Sequence, residues 1–403
     1  MSPNTGGGGK KILETKQRLL NVIKKSLWNT GVASADSEIY EEMRLHAIAP
    51  LAAPVLLELG LPEELLKKWE MSCVGAVVNY QRCVHAQAAL PISVPYVILK
   101  GMSAAQYYPY PEYRMMGDID IMTSHEDYNT ACDMLLQSGF TEYTNAVDQY
   151  LNRHREFIGK HIPIEVHSYY ALRDKKEEVK ALDDLIINNI TPSHILPDMI
   201  NGLTLIEHIN HHIEEGLGLR QIIDWMMFVD KCLPDEKWPE FEALASVTGH
   251  VMLAITVTRM CELYLGLSEH RWSKKVDPAL CESLMEYVLS CGNFGRKKEA
   301  DSRTSEFLLT SATWKSKMIT LKQRGVISWK AAQKYPVLRP FAMVYQGVRY
   351  VFKGLTRKQA IDKLRVEIAN SKRNSALFDA IGVSRERSGR VTYYNGQYVD
   401  NKH

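Results

Sequence analysis

The chain has 403 residues, with 49 lysines and arginines against 47 aspartates and glutamates, for a formal charge of +2. That length can bury a large core and divide into two or three domains, and the balance of charge excludes a partner chosen by the overall electrostatic field. Seven cysteines without a Cys-x-x-Cys pair, mostly inside apolar helical patterns, exclude a disulfide scaffold and point to reduced, buried thiols in the cytoplasm.

Residues 1–12 read as a flexible leader. Gly6 to Gly9 followed by Lys10 and Lys11 imitates a phosphate-binding loop, but no strand precedes it and no Ser or Thr follows the lysine. No signal peptide is visible. The most apolar long window, Gly249 to Leu267, is interrupted by Arg259 and Glu262, so no transmembrane segment is expected. Residues 13–90 form an N-terminal helical region in which Leu19, Leu20, Ile23 and Leu27 recur at helical spacing, with a turn signal at Gly60-Leu61-Pro62. His46 reads as a core histidine.

Pro91 and Pro95 end that region, and residues 91–195 read as the core of the protein. A strand over Tyr96 to Leu99 delivers Lys100-Gly101 to the start of a helix through Ala104, Ala105 and Tyr108. A phosphate placed there would meet both the helix N-terminus and the Lys100 ammonium. After the stiff Tyr108-Pro109-Tyr110-Pro111 loop comes Arg114, which would clamp a phosphate or brace Asp118.

The next strand, Gly117-Asp118-Ile119-Asp120-Ile121-Met122, carries two aspartates in its alternation. Asp118 and Asp120 project from one side, about 7 Å apart, while Ile119 and Ile121 enter the core. Carboxylates this close repel unless a cation lies between them, and oxygen donors suit Mg²⁺ or Mn²⁺. Gly117 leaves room for another group near the backbone. Ser124 caps the following helix, which ends at Gly139. Two further strands, near Arg155 to Ile158 and Ile162 to Val166, flank a turn at Gly159 and Lys160, and the second puts Glu165 and His167 on one face.

Leu99-Lys100-Gly101, a helix, then Arg114-x-x-Gly117-Asp118-Ile119-Asp120 resembles the polymerase-β-like nucleotidyltransferase superfamily, and in particular its "uncharacterised nucleotidyltransferase" branch of bacterial biosynthetic clusters. His46-Ala47-Ile48-Ala49-Pro50-Leu51 extends the likeness upstream. The resemblance implies that Glu165 joins Asp118 and Asp120 as a third carboxylate on the metal. It also implies that Lys100, Gly101, Ser103, Arg114, Gly117 and His167 lie against the nucleotide. One departure stands out: the superfamily follows its first strand with Gly-Ser, whereas here Met102 intervenes and Ser103 comes one place late.

Residues 196–382 read as a C-terminal helical domain, with stripes at Leu203, Ile206, Ile209 and Ile213 and at Leu219, Ile222, Ile223 and Met226. His208, His211 and His212 share part of a helix and would suit zinc hydrolysis given a third ligand, although the glutamate of a His-Glu-x-x-His site is absent. The resemblance includes a His-rich helix followed by Leu219-Arg220-x-x-x-Asp224. This implies a structural or nucleotide-facing second shell of His208, His212, Arg220 and Asp224, and an Arg220–Asp224 pair at i, i+4 fits a structural role.

Residues 307–361 hold eleven lysines and arginines and no acidic residue, interleaved with aromatics. The segment suits an anionic partner, whether nucleic acid, membrane surface or phosphorylated substrate, or else forms a cationic helical face with its aromatics in the core. The tail, 383–403, carries an Asn395-Gly396 hairpin signal.

Together these features predict an α+β fold: a small mixed β-sheet nucleotidyltransferase core flanked by N-terminal and C-terminal helical domains. The expected activity is metal-dependent transfer of a nucleotidyl group from an NTP to an unidentified hydroxyl or phosphate acceptor, with pyrophosphate release. The alternative is a catalytically inactive scaffold of the same fold, which the displaced Ser103 favours.

Overall fold

The computed structural model describes residues 6–143, 153–159, 162–173, 175–297, 318, 322, 325–326, 328–355, 370, 372–383, 391–394 and 397–400. The fold is α+β and is arranged around one mixed sheet. Its strands are β1 (Tyr96–Leu99), β2 (Ile119–Thr123), β3 (Thr141–Glu142), β4 (His154–Ile158) and β5 (Pro163–His167), in the spatial order β1-β2-β5-β4-β3. β2 and β5 run parallel and the other pairs antiparallel.

Alternation separates the two faces of this sheet by chemistry. Ile98, Ile119, Ile121, Phe157, Ile164 and Val166 point to one side, where they pack with Ala131, Cys132 and Leu135 of α5 (Tyr128–Gln137). Each such side chain contributes about 1.5–3 kcal/mol when fully buried. The opposite side carries Asp120, Glu165, His167 and His154. Register is therefore fixed strongly, because a slip by one residue would drive these polar groups into the apolar layer.

Helices α1 (Gly6–Trp28), α2 (Ser37–Leu45) and α3 (Glu63–Ala88) precede β1, and a 3₁₀ segment, Ala49–Leu59, lies between the last two. The Asp36 carboxylate caps α2 by accepting from the Glu38 and Ile39 amides. α1 starts at Gly6, so helix reaches into the stretch read as a leader. Each glycine weakens that end by about 1 kcal/mol relative to alanine, and the hold comes from Leu19, Leu20, Val22 and Ile23, all buried further along the helix.

A short helix, α4 (Gly101–Ala105), follows β1. After β5 come α6 (Lys176–Ile187), α7 (Asp198–Gly216), α8 (Leu219–Cys232), α9 (Trp238–Val247), α10 (Val251–Tyr264) and α11 (Pro278–Cys291). α8 is buried on nearly every side, and a Cβ added at Gly202 of α7 would lie 2.3 Å from the Phe228 ring of α8, so only hydrogen fits there. One continuous core runs from α1 through Val97, Leu99 and Met122 of the sheet to α8, α10 and α11. All seven cysteines are free and buried, as the reading of reduced thiols requires, and no helix among the described residues is long and apolar enough to cross a membrane.

Much of 307–361 lies outside the described residues. Within it, α12 (Lys330–Lys334), a 3₁₀ turn (Pro336–Phe341) and α13 (Ala342–Leu355) are described. The tail hairpin forms as β6 (Val391–Tyr394) and β7 (Gln397–Asp400). It docks on its own chain: Tyr398 is buried, and its hydroxyl donates to Asp183 Oδ2 at 2.9 Å and meets His125 Nε2 at 3.0 Å.

Candidate active site

The site begins with a strained residue. Lys100, at the end of β1, has φ 50° and ψ −132°, a region that costs a non-glycine residue about 1–3 kcal/mol and persists only where the surroundings enforce it. Three contacts do so: its carbonyl accepts from Ser103 Oγ at 2.7 Å and from the Ala104 amide at 2.9 Å, and its Nζ reaches Asp120 Oδ1 at 2.8 Å. The bend aims a buried ammonium at the middle strand.

β2 and β5 supply the carboxylates. In their parallel register Asp120 is opposite Glu165 and Met122 opposite His167, so the acidic side chains are neighbours on one face. Asp118 stands just before β2, half-buried. His167, fully buried, places Nε2 2.8 Å from Asp120 Oδ1 and 3.6 Å from Glu165 Oε2. Ligand atoms of Asp120, Glu165 and His167 all lie within 4.8 Å of one another.

The antiparallel strand β4 continues the row, with His154 opposite His167 and Glu156 opposite Glu165. His154 Nε2 lies 3.3 Å from Glu156 Oε1 and 4.0 Å from Glu165 Oε2. The mirrored segments His-Arg-Glu and Glu-Val-His thus line one surface. Sequence reasoning missed His154 and Glu156 because it began that strand at Arg155; the alternating His-x-Glu was the signal that would have found them.

Charge in the cluster is unevenly shared. Burial would raise the Asp120 carboxyl, yet Lys100 and His167 outweigh it and hold it well below the usual carboxylate range. The Asp120 charge, with burial, raises Asp118, while burial and then Asp120 raise Glu165 well above its usual range. Burial pushes the His167 imidazole down to about 3 despite its contact with Asp120. His167 is therefore neutral, its proton sits on Nε2 by assignment from this network, and Nδ1 meets no partner among the described residues. Burial opposes the Lys100 charge, but Asp120, Glu165 and Asp118 more than offset it.

The other residues singled out from the sequence have definite places. Gly101 has φ 20°, and an added Cβ would meet the Asp118 carbonyl at 3.6 Å, whereas the space over Gly117 is open. Ser103 is buried, and its hydroxyl turns back to the Lys100 carbonyl. Arg114 forms a two-pronged pair with Asp224, at 2.7 Å on each prong, and Tyr108 donates to the same carboxylate at 2.7 Å. The expected Arg220–Asp224 pair gives way to this arrangement, and Arg220 instead donates to the Met115 carbonyl at 3.2 Å.

His208 is buried, and burial followed by the charge of neighbouring His212 pushes it well below its ordinary range. The His208 and His212 rings stand 4.8 Å apart, while both His211 ring nitrogens lie within 3.0 Å of the buried Arg153 guanidinium. His211 thus faces a cation. Among the described residues the groups that converge as metal ligands are the sheet-borne ones. Arg153 and Tyr170 are additions: Tyr170 stacks edge-on to His167 at 5.8 Å and lies under the Lys100 ammonium at 5.7 Å.

No curated protein and no solved structure matches the chain. A family model does match, over residues 33–266, more than half of the chain, and it takes in α2, α3, the whole sheet and α6 to α10. The acidic row on β2 and β5, the lysine at the end of β1 and the helices that enclose them all fall inside that match, and the chain belongs to the uncharacterised nucleotidyltransferase family.

Proposed function

We propose that the protein transfers a nucleotidyl group from a nucleoside triphosphate to a hydroxyl or phosphate acceptor, releasing pyrophosphate, in the manner of the polymerase-β-like superfamily and within a biosynthetic pathway. The observation that carries this reading is the register that sets Glu165 beside Asp120, next to Asp118 and the Lys100 ammonium.

The donor set fits a hard divalent ion. Three carboxyl groups converge beside one ammonium: the Asp120 charge raises Asp118, and burial followed by the Asp120 charge raises Glu165, as crowded acids without a further counter-ion do. Asp118, Asp120 and Glu165 would hold Mg²⁺ or Mn²⁺, with His167 donating to the Asp120 carboxylate behind them. When bound, the ion supplies neutralisation of the triphosphate and of the leaving pyrophosphate.

The protein's own groups do the rest. Lys100 binds phosphate oxygen, with its backbone held in the strained form that keeps Nζ over the site. Gly101 and α4 offer amide donors beside it, and Gly117 keeps the approach open. Arg114 acts through Asp224, fixing the segment that leads into β2. His167 orients the Asp120 carboxylate. One carboxylate of the trio would take the proton of an attacking hydroxyl. Seven free thiols support a cytoplasmic location.

The scaffold reading has one specific observation in its favour: the Ser103 hydroxyl faces the Lys100 carbonyl and not the site. Calorimetry with Mg²⁺ and each NTP separates the two. An enzyme gives heat that Asp118→Ala abolishes, and with α-labelled NTP it passes label to an acceptor in cell extract. No heat with any NTP would overturn the catalytic reading.

A further inference from the structure

α13 is built inside out. Among its described side chains, 342–349, the buried ones are the small Ala342 and the polar Gln346, while Val344 is 59 % exposed and Val348 50 % exposed. Phe341 at its start is 61 % exposed, and Val337 on the preceding turn 75 %. At 100° per residue Phe341, Val344, Tyr345 and Val348 fall within an arc of about 100°, a continuous apolar stripe of the width a helix normally turns to a core. Trp329 stacks on Tyr345 with ring centroids 5.0 Å apart, which fixes that ring within the stripe. Isolated exposed apolar residues are ordinary, but an aligned set opposite a buried glutamine is not.

The charges around the stripe identify what it fits. Arg339 on the turn and Arg349 on the helix are exposed, as are Lys330 and Lys334 on the preceding α12, and no acidic residue occurs anywhere in 307–361. An anionic bilayer offers the complement to both features at once: acyl chains for the stripe and headgroup phosphates for its cationic margin. We infer that α13 and the turn before it form an interfacial anchor that seats this protein on an anionic lipid surface. The helix lies in the plane of the interface, with Phe341, Val344, Tyr345 and Val348 toward the acyl chains and Arg339 and Arg349 at the phosphate level.

The test is co-sedimentation of the full chain with vesicles of phosphatidylcholine alone or mixed with phosphatidylserine. The mixed vesicles should carry the protein down, the neutral ones should not, and added salt should release it. Arg339→Gln and Arg349→Gln should each weaken binding by about fivefold, equivalent to about 1 kcal/mol per charge near the surface. Val344→Asp with Val348→Asp should abolish it. All four positions are exposed, so the melting temperature should stay unchanged. Failure to sediment with the mixed vesicles, or equal sedimentation of the Val344→Asp, Val348→Asp protein, overturns the inference. Single-stranded RNA binding lost in the arginine variants, without vesicle binding, would give the face to nucleic acid.

Discussion

Arg114 and Asp224 meet across 110 positions of sequence in a pair with both prongs at 2.7 Å, and both residues are almost fully buried. This pair ties α8 to the segment that leads into the Asp118–Asp120 strand, so the helices after the sheet help set where the acidic strand begins.

Removing one partner should therefore cost more than an ordinary hydrogen bond. Asp224→Ala leaves a buried guanidinium without its counter-charge and is expected to lower unfolding free energy by about 3–5 kcal/mol in a urea titration. Arg114→Lys keeps the charge but loses the fork, and its loss should be smaller, about 1–3 kcal/mol. Equal and small effects from both variants would show that the pair does not anchor the strand.

Lys100 poses a different question, because its ammonium neutralises Asp120 in the place where charge is densest. Lys100→Met should destabilise the protein in EDTA by about 3–5 kcal/mol, since Asp120 loses the cation that faces it and His167 is neutral. The strained backbone at Lys100 is unchanged by the substitution, so the effect isolates the side chain. Added Mg²⁺ or Mn²⁺ should then raise the melting temperature of the variant more than that of the parent chain, because bound cation offsets the missing ammonium. Equal shifts in the two proteins would mean that the lysine and the ion do not share a charge-balancing role.

The sequence made the middle of the site legible through alternation. Asp118-Ile119-Asp120 and Ile164-Glu165-Val166-His167 each declare two faces, and the register that joins them follows from burying the isoleucines and Val166 against α5. What escaped depends on contacts between distant segments. Arg114 sits three residues before the Gly-Asp-Ile-Asp run, and nothing local says that its partner is Asp224 on α8 and not a phosphate or Asp118. The hydroxyl of Ser103 is likewise settled by the backward turn of Lys100, a left-handed conformation that lysine gives no hint of adopting. The Arg153–His211 contact escaped for the same reason, since it joins β4's entry to α7 across a fold that local spacing does not encode.

The tail hairpin shows the same limit from the other side. Asn395-Gly396 announces two strands, but the docking rests on Tyr398 reaching Asp183, which is fully buried on α6 and also accepts from the Tyr170 amide at 2.9 Å. Tyr170 in turn packs on His167, so the hairpin is linked to the site through two residues.

Asp183 gives that link a pH signature. Burial pushes its carboxyl up to about 7, against the hydrogen bonds from Tyr170 and Tyr398, while its ordinary value is 3.8. The folded protein therefore holds this proton more tightly than the unfolded chain does. The contribution of Asp183 to stability is greatest below its ordinary value, declines as pH rises from about 4 to about 7, and is level above that. Asp183→Asn cannot titrate and retains an acceptor for Tyr170. Its melting temperature relative to the parent should rise steadily between pH 4 and 7 and then stop changing; His125, which also touches Tyr398, titrates in both proteins and so largely cancels from the difference. A difference that does not vary with pH would mean that Asp183 ionises freely in the fold, and the hydroxyl of Tyr398 would then be holding the hairpin against an ordinary carboxylate.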